Sequence, residues 1–154
     1  MNVKAALSSD DLARACADAM WKEDQASQGL GMAIVEVKAG EATLAMTIEP
    51  HMVNGQGIAH GGFIFLLADS AFAFACNSRN HRSVAAQCDI SFIRPARLGN
   101  RLLARAREIS RSGRSGIYDV SVTVDGTAIA ELRGHSRTIG GEWIEAADAG
   151  DKLK

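Results

Sequence analysis

The stretch Asn54 to Ser78, NGQGIAHGGFIFLLADSAFAFACNS, runs a glycine-rich loop into a long apolar segment whose one charged side chain is Asp69. An ionised carboxylate in such surroundings is costly unless it is paired, hydrogen-bonded or protonated, and desolvation raises its pKa. Asp69 is therefore a candidate functional group, against the plainer reading of a carboxylate paired with an arginine or bonded to nearby backbone. The loop favours the first reading. Gly55, Gly57, Gly61 and Gly62 let the backbone approach a ligand closely and deliver it to a helix N-terminus. Free N–H groups and the helix dipole there favour developing negative charge, which is the layout of an oxyanion hole. Nucleotide motifs fail on the same residues: GQGIAH puts His60 where a dinucleotide fingerprint needs its third glycine, and GQGIAHGGF has no phosphate-loop lysine.

Spacing then bears on assembly. Gly62 and Asp69, seven residues apart, share a helical face but stand roughly 10 Å apart along the axis. One carbonyl group cannot easily touch both from a single helix. Two antiparallel copies of the helix about a two-fold axis would bring Asp69 of one subunit toward Gly62 of the other, so shared sites in a dimer are expected.

The elements that must position these residues follow from pattern. Between Gly61 and Cys76 there is no proline and no charge but Asp69, and Phe63, Ile64, Phe65, Leu66, Leu67, Phe72 and Phe74 cover every side of a helical wheel. Such a helix is buried, and sixteen residues with a central carboxylate fall short of the roughly 20 that span a bilayer. Residues 9–26 read as a first helix, capped by Ser8 or Ser9, with Leu12, Ala15, Ala19 and Met20 as its apolar stripe. Strands are expected over 32–38 and 42–48 as a hairpin, then over 83–93, 100–111, 116–124 and 128–138, with Asp125-Gly126 forming a tight turn between the last two. Arginines at 101, 105, 107 and 111 alternate with Leu102, Ala104 and Ala106, which predicts one wet and one packed sheet face. The sum is an α+β fold in which one mostly antiparallel sheet wraps the long central helix.

The 154 residues suit a single domain, placed at 1–140, with 141–154 expected to be a fraying tail. With 47% hydrophobic and 23% charged residues and a net charge of −1, composition carries no bias toward nucleic acid or membrane. The N-terminus lacks a basic flank and apolar run, so a cytoplasmic location is expected. Cys16, Cys76 and Cys88 have no CxxC spacing and read as reduced thiols, and no histidine is paired with a cysteine at zinc-site spacing, so no metal is expected.

The pattern Asn54-x5-His60-Gly61-Gly62-x6-Asp69, with ADSAFAFACNS on the helix, DISFIRP at 89–95 and the strand-turn-strand finish, resembles the hotdog-fold acyl-CoA thioesterases of the phenylacetic acid degradation (PaaI) type. The resemblance spans about Asp18 to Gly140. It implies a hotdog fold, dimers with a continuous sheet and shared sites, tetramers of such dimers, and hydrolysis of acyl-CoA thioesters without a cofactor, coenzyme A being part of the substrate. By position, Asp69 matches the nucleophile or general base, Gly62 the backbone donor that polarises the thioester carbonyl, and His60 and Asn54 the loop residues that shape this hole. Plain turn roles are the simpler readings for His60 and Asn54. Some relatives carry a hydroxyl on the strand after the helix to hold water, where this sequence has Ala85 and Ala86.

Thiolate leaves readily, so the site needs no strong acid beside Asp69. Seven arginines between Arg94 and Arg114, against Glu108 alone, read most simply as a solvated strand face. As sites for the coenzyme A phosphates the candidates are Arg94, Arg114 and Arg137, with Gly61 at the substrate. The resemblance favours phenylacetyl or hydroxyphenylacetyl substrates. Phe63, Phe65, Phe72 and Phe74 are then candidates for an aryl pocket, against a plain core role. Alternatives on the same fold are a non-catalytic acyl-CoA-binding or sensing module and a dehydratase or hydratase.

Overall fold

The computed structural model describes residues 7–145. Helix α1 (Ser9–Glu23) is capped by Ser8, whose hydroxyl accepts from the Asp11 N–H at 3.0 Å. The first helix ends earlier than expected because Asp24 caps a new turn. Its carboxylate accepts from the Ser27 N–H (2.9 Å) and hydroxyl (2.6 Å), opening the short α2 (Gln25–Gly29). The buried stripe of α1 is Ala13, Cys16, Ala17 and Met20 rather than the Leu12, Ala15 and Ala19 read from the pattern. Small side chains there let α1 lie against the first strand, and Leu12 is left half-buried at the margin.

Six strands follow the expected order: β1 (Ala33–Lys38), β2 (Glu41–Thr47), β3 (Ser83–Phe92), β4 (Arg101–Ser112), β5 (Ser115–Val124) and β6 (Thr127–Thr138). All pairings are antiparallel in one sheet ordered β1-β2-β4-β5-β6-β3. Asp125 and Gly126, at φ 49° and 80°, make the β5–β6 turn where the sequence places it. Helix α3 (Gly61–Cys76) packs across the inner face against Leu44, Met46, Leu102, Ala104, Ala106, Tyr118, Val120, Val122, Ala130 and Leu132.

The sheet makes room for this helix with small residues. A Cβ on Gly134 would fall 2.8 Å from the ring of Phe72, so β6 passes bare backbone under that side chain. On the outer face Arg105 and Arg107 are exposed and Arg133 holds Asp119 with two hydrogen bonds of 2.7 and 2.9 Å. That pair holds the Asp119 carboxyl below its ordinary pKa. The wet face expected from the alternating arginines is present up to Arg107, after which a bulge between Glu108 and Ser110 resets the alternation.

The segment after Gly140 is tied down. Asn77, buried at the end of α3, accepts from the Ser83 N–H (2.9 Å) and the Trp143 indole N–H (2.8 Å). Asn80 accepts from the backbone of Trp143 and Ile144, and Arg82 lies 4.0 Å over the Trp143 ring. The tail expected from 141 onward is thus held through Ile144, because polar side chains buried at the helix end need those donors. Residues 146–154 lie outside the described residues.

Candidate active site

The loop before α3 is organised by Asn54. Its side-chain carbonyl accepts from the Gln56 N–H (2.9 Å) and the Ile58 N–H (3.4 Å), and its backbone bonds Ile58 and Gly57. The turn role is therefore real, and the amide nitrogen of Asn54 is left for the cleft beside it. Gly57 turns the loop at φ 75°.

His60 is the N-cap of α3. Its Nδ1 accepts from the Gly62 N–H at 2.9 Å, so the ring proton sits on Nε2. A Cβ on Gly62 would stand 3.1 Å from that nitrogen. In this resting arrangement the Gly62 donor is occupied, while among the described residues nothing accepts from the Gly61 N–H. The ring of Phe63 is edge-on to both His60 and His51, at 6.3 and 6.0 Å. No hydrogen bond among the described residues joins His60 to Asp69, as a histidine–carboxylate proton relay would require.

Asp69 lies half-buried in the middle of α3. Among the described residues no side chain or backbone group pairs with its carboxylate, so the plain salt-bridge reading does not hold. Burial raises its pKa above the ordinary aspartate value. Its charge is felt by two neighbouring thiols, Cys76 on its own helix and Cys88 on β3. Cys76 is pushed up to about 12, mainly by burial, and is inert as a thiol at neutral pH. Cys88 lies on β3, one of the two edge strands of the sheet, so the Asp69 charge reaches that edge.

A cleft of about 430 Å³ joins Asn54, Gly61 and Arg94 with the apolar walls Ile58, Ile64, Phe92 and Ile93. The Arg94 guanidinium donates to the Ala128 carbonyl at 2.7 Å, which holds its head group beside the cleft. Arg114 and Arg137 are elsewhere. Arg137 pairs with Val84 at the start of β3, and the Arg114 carbonyl accepts from Thr138, whereas Phe92 ends β3 eight residues on, roughly 26 Å along the strand. Within one protomer, then, Asn54, His60, Gly61, Gly62 and Arg94 cluster, Asp69 stands about 10 Å along the helix, and Arg114 and Arg137 lie at the other end.

Two of the four helix phenylalanines are core. Phe72 and Phe74 are each 1% exposed, packed on Tyr118 and Trp21 with centroids 5.5 and 6.2 Å apart. Phe63 and Phe65 are half-buried. Ala85 and Ala86 are exposed on β3 at a bulge, and offer no hydroxyl to hold water. Pattern reading missed Phe92, which closes on Gly61 so that a Cβ there would come within 3.0 Å of its ring. Its place inside DISFIRP, two residues before Arg94, was the available signal. Among the described residues no three His, Cys, Asp or Glu side chains converge on a metal-sized site.

Comparison with known proteins places this geometry in context. The Thioesterase superfamily profile matches residues 56–130. Acyl-coenzyme A thioesterase PaaI of Escherichia coli is 40% identical over 126 residues, covering 81% of this chain and 90% of that protein. The solved structure of the E. coli PaaI protein from the phenylacetic acid degradation operon superposes with a TM-score of 0.86 at 38% identity, over 88% of this chain and 99% of that one. A variant of the phenylacetic acid degradation protein PaaI from Thermus thermophilus gives 0.72 at 36% identity, over 73% and 97%.

Proposed function

Since the chain belongs to the hotdog-fold acyl-CoA thioesterases of the PaaI type and is a thioester hydrolase, we propose that its substrates are phenylacetyl- or hydroxyphenylacetyl-CoA, cleaved in aromatic acid breakdown. The observation that carries the mechanism is a half-buried carboxylate, unpaired among the described residues, on the same helix whose N-terminus opens into the Gly61 cleft. The substrate carbonyl binds at that N-terminus. Its oxygen accepts from the free Gly61 N–H and takes the place of the His60 imidazole on the Gly62 N–H, so polarisation of the carbonyl is coupled to substrate entry. Asn54 holds the loop in which these donors sit, and its amide faces the same cleft.

Asp69 acts from the partner subunit. The β3 edge supports this assembly: it is ten residues long, carries exposed Val84 and Phe92, and has no strand on its outer side among the described residues. Pairing β3 with its two-fold mate extends the sheet and brings two α3 helices antiparallel, with Asp69 on the facing flank. Such dimers then associate as tetramers. The same pairing carries Arg114 and Arg137 of the partner subunit toward Arg94, where the three receive the coenzyme A phosphates. Chemically, Asp69 either attacks the carbonyl carbon or takes a proton from the attacking water. In both modes the C–S bond breaks and coenzyme A departs as thiolate, which is protonated in solvent. No bound cofactor takes part. Phe63, Phe65 and Phe92 offer the aromatic surface for an aryl group.

Thiol release from phenylacetyl-CoA, hydroxyphenylacetyl-CoA and a medium-chain acyl-CoA tests the reading, with wild type and Asp69→Asn side by side. Aryl-selective release that falls by orders of magnitude in the folded variant is expected. Equal release from all three substrates would remove the aryl assignment. Undiminished release by Asp69→Asn would remove the mechanism.

A further inference from the structure

A second, smaller cavity, about 170 Å³, lies at the opposite end of α3 and closes over Cys76. Its walls carry Arg79, Arg111 and His81 together with the hydroxyls of Ser115, Ser136 and Thr138, and the thioester mechanism uses none of them. Ser136 is the telling residue. It is 7% exposed, and its hydroxyl keeps access to the cavity that the residue lines. A hydroxyl open to a cavity can donate to or accept from a ligand held there. Space for it is provided by Gly116, since a Cβ there would sit 2.7 Å from the Ser136 Oγ.

The charge of the cavity decides the ligand's sign. Arg79 commits Nε and one Nη to Glu108, at 3.1 and 3.3 Å. Arg111 approaches that carboxylate only to 3.9 Å, and Glu108 does not itself line the cavity. Two guanidinium groups against one carboxylate leave net positive charge on the wall, to which hydroxyl donors are added. The C-terminal end of a helix opposes an anion through its exposed carbonyls. Here those of Ala73 and Ala75 are already taken by Asn77 and Ser78.

We propose that this cavity is a binding site for a small tetrahedral oxyanion of the phosphate class, held by Arg111 and Ser136 with Arg79 and His81 behind them. Guanidinium and hydroxyl donors converging on a volume of this size fit that chemistry. The site stands on one protomer's own side chains and holds whether or not the aryl substrate assignment does. Its phosphate has two sources to distinguish: the free ion, or a phosphate of coenzyme A.

The test is calorimetric titration of inorganic phosphate into wild type, Arg111→Gln and Ser136→Ala, repeated with coenzyme A present. Saturable binding to wild type is expected, weakened about tenfold or more in each variant, as for loss of a hydrogen bond to a charged group. Displacement by coenzyme A, with a raised KM for acyl-CoA in both variants, would identify the nucleotide as the occupant. Retention in its presence, with KM unchanged, would identify the free ion. Either result upholds the site. No saturable binding at millimolar phosphate, or wild-type affinity in both variants, overturns it. Thermal melting in phosphate-free buffer keeps the result readable: Ser136→Ala should melt close to wild type, because its hydroxyl opens into the cavity.

Discussion

At the scale of single residues the protein keeps a carboxylate where it is least comfortable. Burial without a partner lifts the Asp69 pKa above its unfolded value, so the folded chain holds that proton more tightly than the unfolded one. The resulting stability is fully present below the unfolded pKa and is lost as pH rises through the folded one. At neutral pH, therefore, Asp69 is a net cost. Asp69→Asn should lower kcat/KM by about a hundred- to ten-thousandfold, yet raise the urea midpoint at pH 7 and flatten its pH dependence. A midpoint below wild type at pH 7 would contradict the unpaired state. In wild type the acid limb of kcat/KM should inflect above the range of an exposed aspartate, because the ionised form is the reactive one. Asp69 is legible in the sequence because a lone charge in an apolar run has no bland surroundings to disappear into. The His60 cap on Gly62 is not, since it depends on one imidazole rotamer folding back two residues. Nor is the cavity that Ser136 lines, whose other walls come from the end of α3 and the β4–β5 hairpin.

Among the elements, α3 sets the tolerance of everything it touches. Gly134→Ala places a methyl carbon within 2.8 Å of a ring that is 1% exposed, and neither helix nor strand has slack to move. A loss of about 1–3 kcal/mol in equilibrium unfolding is expected, with the overpacked core as its cause. Phe72→Leu in the same chain should recover part of it, whereas simple additivity of the two changes would show that the contact is not responsible. The strands were readable because alternation on β4 and β5 states which face is wet. The stripe of α1 was not. Alanine and cysteine there give weak periodicity, and the small side chains turn inward only because β1 approaches closely. The break at Asp24 shows the same limit, as a capping carboxylate inside an apparently continuous helix looks like any surface acid.

At the scale of the whole molecule the open β3 edge and the position of Asp69 point to one site built by two chains. Mixing inactive Asp69→Asn with inactive Gly62→Pro, which removes the N–H in the first helical turn where proline is tolerated, tests this directly. After random reassortment roughly a quarter of wild-type activity should return, since half of the dimers are mixed and each holds one intact site of two. Sites confined to single chains would return none. A last consequence comes from the far end of the helix, where Asn77 joins α3, the start of β3 and Trp143 through one side-chain carbonyl. The chain has two tryptophans, and Trp21 lies apart from this junction against Phe74. Trp21→Phe therefore leaves a protein with a single emitter, its indole N–H bonded at 2.8 Å and a guanidinium 4.0 Å over its ring. Such a fluorophore is a native optical gauge: its emission should shift to the red when the helix end loosens, and should do so before the sheet gives way if that junction opens first.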